Sequence, residues 1–384
     1  MNAVTCISSP LFSSKLHSEF PKDFRCSFLF PQTKPVKFIF PTSPPRVWPP
    51  RKQSNSEWRF KFNSQSDAVP PFDASHAISS LLPFVVAATA ISALSEPSTF
   101  NWVSKELYAP ALGGIMLSIG IKLSVDDFRL AFKRPGSLSL GFIAQYAIKP
   151  ALGLLIAKAF QLPNIFFAGF VLTCCVSGAQ LSSYASFLSK SDVALSILIT
   201  SSTTIASVAV TPVLTRLLIG SMVPVNGGAM AKSIMQVVLL PIAAGLALNT
   251  YAKPLAMIIE PLMPFVAMAC TSLCIGSPLA LNRSSILSNE GFRLFLPIVA
   301  FHGAAFTVGY WVSKIPYLRQ EEAASRTIAL CSGMQSSTLA GLLATQFLGG
   351  SHAVPAACSV VVMAIMGLCL ASFWGSGYKI RFFN

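Results

Sequence analysis

Apolar stretches recur along the chain from residue 78 to residue 374, and short polar connections separate them. A helix needs about 20 apolar residues to cross the hydrocarbon core of a bilayer. This criterion predicts ten membrane-spanning helices, at residues 78–95, 107–123, 137–160, 164–188, 193–219, 230–251, 257–281, 293–314, 326–348 and 353–374. The pattern therefore predicts an all-α membrane protein with about ten transmembrane helices.

Two of the predicted spans, the fourth and the ninth, are interrupted by runs of small and hydroxylated residues. Both runs contain the tetrapeptide Ser-Gly-x-Gln, at residues 177–180 and 332–335. Such residues mark places where a membrane helix breaks, and freed backbone groups are tolerated at bilayer depth only against protein or a water-filled cavity. We therefore predict two broken helices that line a cavity.

The positions of these breaks predict an internal repeat. The ten spans divide into two groups of five, at about residues 78–220 and 230–376. Each break lies in the fourth span of its group. Because five is odd, the second group enters the membrane with the opposite orientation, which is typical of inverted-repeat transporters. Small residues also mediate close helix packing, but two matched runs that each carry a Gln favour a binding site.

Polar side chains in two other spans add candidate ligands. In the fifth span, Ser196, Thr200 and Thr203 follow one another at helical spacing and share one helix face. Hard cations prefer oxygen ligands, so this stripe is a candidate ion site. In the third span, Gln145 and Lys149 lie one turn apart, and a lysine at bilayer depth is costly unless it faces a polar cavity or snorkels.

Composition excludes a soluble protein. Only 11% of the residues are charged and 53% are hydrophobic, whereas soluble domains carry about 25% charged residues. Half of the net charge of +14 comes from residues 1–66, which hold ten Lys and Arg residues against three acidic ones. This distribution predicts no nucleic-acid partner. The nine Cys residues are scattered and predict neither a metal site nor a disulfide framework.

The first 70 residues have the composition of a targeting segment, rich in Ser, Pro, Phe and basic residues and poor in acidic ones. This is typical of a plastid transit peptide, with a disordered cytosolic tail as the alternative. Residues 71–384 then form the transmembrane domain. Connections after even-numbered spans and the C-terminal tail hold ten basic residues, against six after odd-numbered spans. The positive-inside rule therefore predicts both termini on one side, the stroma.

Residues 107–374 resemble the bile acid:sodium symporter family, in particular its plastid-envelope branch of sodium/metabolite cotransporters. Four motifs in the same order carry the resemblance: LSIGIKLSVDDF (117–128), AQYAIKP (144–150), SGAQLSSYASFLSKSDVALSILIT (177–200) and RTIALCSGMQSS (326–337). The resemblance implies two inverted five-helix repeats. Spans 1, 2, 6 and 7 would form a panel domain and the other spans a core domain, in which the broken fourth and ninth helices cross.

The resemblance also implies ligands, carried over position by position. One sodium site would use Ser182, Ser183, Ser196 and Thr200. A second would use Gln145, the backbone of Met334, and Gln335. The substrate would bind between panel and core beside the crossing, where the candidate residues are Ser177, Gly178, Gln180, Ser332, Gly333 and Ser336, with Lys149 as a helper. Apart from sodium, no cofactor is expected.

The sequence departs from the family pattern at Cys331, where many members carry a glutamate that bridges both sodium ions. An amide common beside Ser183 is likewise replaced by a hydroxyl. Charge in a low-dielectric core is costly unless it is paired. Three alternatives follow: one sodium site is lost, the substrate supplies the negative charge, or transport is not coupled to sodium.

The leading hypothesis is therefore secondary transport of a small organic anion, such as a keto acid, a hydroxy acid or a sulfonate, across the plastid inner envelope. An intramembrane protease is a second alternative, with Ser177 or Ser332 as nucleophile and His302 or His352 as base. A passive channel or a non-transporting relative is a third. The lipid bilayer is the other expected partner, and the sequence specifies no oligomeric state.

Overall fold

The computed structural model describes residues 74–124, 135–315, 318 and 320–377. The predicted leader lies outside these ranges, as does the segment with Asp126 and Asp127 and most of the C-terminal tail. Basic residues used to predict the orientation also fall there, namely Arg129, Lys133, Arg134, Arg319, Lys379 and Arg381. Within the described ranges the chain is helical, apart from turns and one antiparallel bridge between Gly178 and Gln335.

Twelve helices of eight residues or more form the described part of the chain. They are α1 (Ala74–Ser95), α2 (Lys105–Lys122), α3 (Pro135–Ala159), α4 (Asn164–Cys175), α5 (Leu181–Leu188), α6 (Val193–Ile219), α7 (Gly227–Tyr251), α8 (Lys253–Leu281), α9 (Asn289–Lys314), α10 (Glu322–Gly333), α11 (Ser337–Phe347) and α12 (Val354–Gly375). Six of them are long and apolar enough to cross a membrane, namely α3, α6, α7, α8, α9 and α12. The predicted all-α membrane protein is confirmed at this level.

The predicted interruptions of two spans are helix breaks. Between α4 and α5 the helix ends at Val176, whose backbone is extended (φ −84°, ψ 166°). Between α10 and α11 it ends at Met334, which is also extended (φ −116°, ψ 128°). Both breaks fall in the Ser-Gly-x-Gln runs. Small and polar residues there provide little side-chain packing to stabilise a continuous helix.

Helix α3 stays continuous through a proline by widening one turn. Residues Ala144–Ile148 form a π turn directly before Lys149 and Pro150. The amide of Lys149 bonds to the carbonyl of Ala144, five residues earlier. Proline has no N–H to donate and its ring crowds the preceding turn, so the wider turn relieves both problems. Helix α7 repeats this solution before Pro241.

Helix α2 packs against both α7 and α8, and α1 packs against α8. Close approach of α2 and α7 depends on two glycines, because a Cβ on Gly120 would lie 2.3 Å from the carbonyl oxygen of Ile242, and one on Gly245 would lie 2.6 Å from the amide of Ile121. The two helix breaks lie among α3–α6 and α9–α12, and α6 also packs against α7. Small residues at helix contacts are typical of membrane bundles.

Candidate functional site

The two helix breaks, which the sequence separates by about 150 residues, pair with each other. Ala179 donates its N–H to the carbonyl of Met334 at 3.2 Å, and Ser336 donates to the carbonyl of Ser177 at 2.9 Å. These bonds form the antiparallel bridge between Gly178 and Gln335. Backbone groups that the breaks release are thus satisfied within the protein, as burial requires.

A cluster of hydroxyl groups lies beside this pairing, and we call it the hydroxyl cluster. The Oγ of Ser182 in α5 is 3.3 Å from both the Ser196 Oγ and the Thr200 Oγ1 of α6. The Oγ of Ser183 is 3.2 Å from the Ser196 Oγ. Three of the four residues, Ser182, Ser196 and Thr200, are fully buried. The structure therefore brings together all four predicted ligands of the first sodium site.

Cys331 of α10 reaches into the hydroxyl cluster from the other break. Its Sγ lies 3.3 Å from the Ser196 Oγ and 3.6 Å from the Ser182 Oγ. Among the described residues, no Asp or Glu is buried. The cluster therefore offers neutral oxygen ligands and one sulfur, and hydroxyl oxygens suit a hard cation better than a soft one.

The residues predicted for the second sodium site lie at the same crossing without bonding to one another. The Gln145 Nε2 donates to the carbonyl of Val176 at 2.9 Å, and the Gln335 Nε2 donates to the Ser359 Oγ at 3.2 Å. Both side-chain oxygens are buried and have no hydrogen-bond partner among the described residues. The carbonyl of Met334, the third predicted ligand, accepts the bond from Ala179.

A basic side chain meets the end of the first half-helix at each break. Lys149 of α3 donates from Nζ to the carbonyl of Val176 at 2.9 Å. His302 of α9 meets the carbonyl of Gly333 through Nδ1 at 2.8 Å, and its Nε2 is 2.9 Å from the Ser359 Oγ. Both side chains are buried. Both therefore satisfy a carbonyl that the break leaves without a helical partner.

The serine and histidine residues predicted for an alternative protease site are not hydrogen-bonded to one another. The Ser332 Oγ donates to the carbonyl of Ile328 at 2.7 Å, while His302 contacts Gly333 and Ser359 instead. The His302–Ser359 pair is itself buried. Neither predicted nucleophile therefore has the adjacent base that activation requires.

Two neighbouring cavities adjoin the crossing of the two helix breaks. The larger, about 480 Å³, is lined by α2, α5, α6 and α8 and has Lys122 on its wall. Its other polar lining residues are Ser118, Gln180, Ser183, Tyr184, Ser201 and Thr271. The smaller, about 100 Å³, reaches the bridge at Gly178 and Gln335. Gln180 and Thr271 line both cavities, which makes them neighbours.

Three of the predicted substrate residues, Gly178, Gln180 and Ser336, line these cavities. Four others do not: Ser177, Ser332, Gly333 and Lys149 are buried against other parts of the protein. Sequence reasoning missed Lys122, Tyr184 and Thr271 as lining residues. Lys122 lies in the quoted motif at the end of the second span, but nothing local indicates which helix face meets the cavity.

Comparison with known proteins agrees with the resemblance found in the sequence motifs. Residues 109–289 match the model of the Sodium Bile acid symporter family. The chain is 68% identical over 351 residues to a probable sodium/metabolite cotransporter BASS3, chloroplastic, of Oryza sativa subsp. japonica, covering 90% of this chain and 83% of that protein. It is 71% identical over 320 residues to the protein of the same name from Arabidopsis thaliana, covering 83% and 74%.

A further relative, a probable sodium/metabolite cotransporter BASS6, chloroplastic, of Arabidopsis thaliana, is 43% identical over 303 residues, covering 77% of this chain and 74% of that protein. All three relatives are named as chloroplastic cotransporters, so the predicted plastid localisation and the absence of an enzymatic role are confirmed. The resemblance drawn from four motifs is confirmed as well: the chain belongs to the Sodium Bile acid symporter family.

Proposed function

We propose that this protein is a sodium-coupled secondary transporter that carries a small organic anion across the inner envelope membrane of the chloroplast. The observation that carries the proposal is the buried hydroxyl cluster directly beside a cavity, with Ser183 belonging to both. Coupling requires that ion and substrate influence each other, and a shared residue provides a direct route. The relatives named sodium/metabolite cotransporters support the same function.

The proposed architecture is two inverted five-helix repeats, at about residues 78–220 and 230–376, behind a transit peptide of about 70 residues. In it, α1, α2, α7 and α8 form the panel, and the other helices form the core with the crossing breaks. Two observations support this proposal. The breaks occupy corresponding positions, and Lys149 and His302 meet corresponding carbonyls from corresponding helices.

The proposed sodium ligands are Ser182, Ser183, Ser196 and Thr200, with Cys331 as a neutral neighbour. These four hydroxyl oxygens are connected by distances of 3.2 and 3.3 Å and suit a small monovalent cation, because hard cations prefer oxygen. Burial of the cluster strengthens the interaction with an ion, since the low local dielectric screens it less than water does. A sodium ion bound there would lend positive charge to the adjoining cavity.

The proposed substrate site is the larger cavity together with the crossing. Its volume of about 480 Å³ falls in the range of ~300–1,000 Å³ that small-molecule sites occupy. The amino group of Lys122 would attract a carboxylate or sulfonate, and α5 and α11 begin at the crossing with the partially positive ends of their dipoles. Apolar lining residues such as Ile119 and Met268 suit an anion that also has a carbon chain.

Uptake into proteoliposomes tests this function. Purified protein is reconstituted, and accumulation of a labelled keto acid, hydroxy acid and sulfonate is compared with sodium and with choline outside. We expect at least one acid to accumulate with sodium only. Equal accumulation with both cations would contradict sodium coupling, and flux without accumulation would identify a passive channel.

A matched pair of lysine variants tests whether the substrate anion binds beside Lys122. Lys122→Gln removes the charge on the cavity wall and is expected to raise the substrate concentration for half-maximal uptake by about tenfold, equivalent to ~1.4 kcal/mol. Lys158→Gln removes an exposed charge at the end of α3 and is expected to leave uptake unchanged. Similar effects of the two variants would contradict the assignment of Lys122.

A further inference from the structure

Lys149 is an unusual charged residue in this protein. Of the Lys, Arg, Asp and Glu side chains that the structure describes, only Lys149 and Arg326 are buried. Arg326 pairs with Glu322 at 3.0 Å. Lys149 has no carboxylate partner in the described part, and its amino group donates to a backbone carbonyl. A buried ammonium without a counter-charge is costly, so its presence calls for a role.

The Lys149 amino group contacts one oxygen of the kind that binds a cation and lies near a second. The carbonyl of Val176, 2.9 Å away, ends helix α4 and therefore carries the partial negative charge of its dipole. Gln145, which contacts the same carbonyl, leaves its Oε1 buried and without a partner among the described residues. Oxygens of this kind are the ligands that a hard cation uses.

Capping the broken helix does not by itself require a charge. At the other break, His302 meets the carbonyl of Gly333 through one ring nitrogen while the other contacts the Ser359 hydroxyl. A neutral imidazole satisfies both partners, since it donates from one nitrogen and accepts with the other. Unlike a neutral imidazole, the amino group of Lys149 can also bring a positive charge to the end of the broken helix.

We propose that the ammonium group of Lys149 is the resident cation of the second ion site and takes the place of a sodium ion there. Gln145, Met334 and Gln335 then form no second sodium site, because a mobile cation beside this ammonium would be repelled with no buried carboxylate in the described part to offset the repulsion. The hydroxyl cluster binds one sodium ion for each substrate anion. The inference rests on the proposed transport function.

A count of bound sodium tests the inference without any substrate. Radioactive sodium is titrated onto the purified full-length protein in detergent, and we expect one ion per chain. Lys149→Gln keeps an N–H donor for the Val176 carbonyl but removes the charge, and we expect it to bind a second ion. His302→Gln, which changes the cap at the other break, serves as the matched control and should bind one.

Two bound ions in the wild type would overturn the inference, as would one ion in a folded Lys149→Gln protein. Thermal unfolding of each variant in detergent establishes that it is folded. If Lys149→Gln does not fold, the wild-type count still decides. Because this measurement needs no transport, its outcome is separate from failure of the proposed function.

The electrical behaviour of transport gives a second test. One sodium ion with one monocarboxylate carries no net charge, whereas two sodium ions carry one positive charge. Uptake of the labelled monocarboxylate that accumulates in the screen above is measured with and without a potassium diffusion potential, inside negative. We expect wild-type uptake to be unchanged and Lys149→Gln uptake to increase. Faster wild-type uptake under the potential would overturn the inference.

Discussion

The two helix breaks share a tetrapeptide and a backbone pairing but have different chemical surroundings. Beside the first break, α5 and α6 place the Ser182 Oγ 3.3 Å from both the Ser196 Oγ and the Thr200 Oγ1. Beside the second, the Ser359 hydroxyl joins His302 at 2.9 Å and Gln335 at 3.2 Å in a network that already satisfies its donors. The proposed ion site therefore lies at the first break, whereas side chains of the protein bond to one another at the second.

This difference teaches that the Ser-Gly-x-Gln motif marks the neighbourhood of a helix break but not what the break binds. Both copies end a helix and take part in the bridge between Gly178 and Gln335. Their chemistry comes from the helices packed around each break. The first break is surrounded by hydroxyls of α5 and α6, and the second by side chains of α9 and α12.

Removing one hydroxyl at each break should give the largest difference. Thr200→Val deletes a proposed sodium ligand at nearly constant volume and is expected to raise the sodium concentration for half-maximal uptake by at least about tenfold, or ~1.4 kcal/mol. Ser337→Ala deletes a hydroxyl 3.2 Å from the Ser359 Oγ at the second break. Its sodium dependence should match the wild type. Uptake into proteoliposomes is measured as a function of sodium concentration for both variants. Equal shifts in the half-maximal sodium concentration would contradict the difference between the two breaks.

The two motif glycines should differ in their tolerance of a methyl group. A Cβ on Gly333 would lie 2.2 Å from the Phe306 ring, whereas one on Gly178 would lie 3.7 Å from the nearest hydroxyl oxygens, those of Thr200 and Thr203. Overpacking typically costs about 1–3 kcal/mol. Gly333→Ala should therefore lower the melting temperature in detergent, while Gly178→Ala should leave it nearly unchanged. The reverse order would show that the packing of the two breaks has been misassigned.

Cys331 belongs to the helix of the second break but contacts the hydroxyl cluster of the first, so it tests whether the two regions are separate. Cys331→Ser replaces a soft sulfur 3.3 Å from the Ser196 Oγ with an oxygen that a hard cation prefers. We expect the sodium requirement to fall by about threefold, or ~0.6 kcal/mol. The exposed Cys369 provides the control Cys369→Ser. An unchanged sodium requirement in Cys331→Ser would exclude Cys331 from the ion site.

The smallest expected effect concerns how each broken helix begins. Helix α10 starts at Glu322, which contacts Lys314 at 2.6 Å and Arg326 at 3.0 Å, whereas α4 has no acidic residue in its first turn. Burial raises the pKa of the Glu322 carboxyl, but hydrogen bonds from Lys314 and Arg326 outweigh this, so the pKa lies below its usual value. A group with a lowered pKa stabilises the folded state above its unfolded pKa of about 4.3, and the stabilisation disappears as the pH falls through the folded pKa.

Because Glu322 is 37% exposed, solvent screening keeps this contribution below about 1 kcal/mol. Glu322→Gln should lower the melting temperature slightly near neutral pH. The gap from the wild type should close as the pH falls through the lowered pKa of the folded carboxyl. Glu321→Gln, at the exposed neighbouring position, is the control. A gap that persists in acid would show that the side chain acts through packing instead of charge.

The apolar pattern by itself determined where the helices lie. The predicted fifth span, 193–219, has the same limits as α6, and the tenth, 353–374, differs from α12 by one residue at each end. Both breaks were also predicted from the sequence. These features are local, because the length of an apolar run and the position of a polar interruption set what a segment does in a bilayer.

Tertiary structure alone decided which side chains meet. Lys149 was predicted as a helper for the substrate, yet it contacts the carbonyl of Val176, 27 residues away. Lys122 and Tyr184 lie on the cavity wall without a local signal, and Ser359 connects His302 with Gln335 from another helix. Apolar helices in a membrane show little difference between their faces in sequence. The face that turns to a partner is therefore set by packing between distant helices, which no local pattern records.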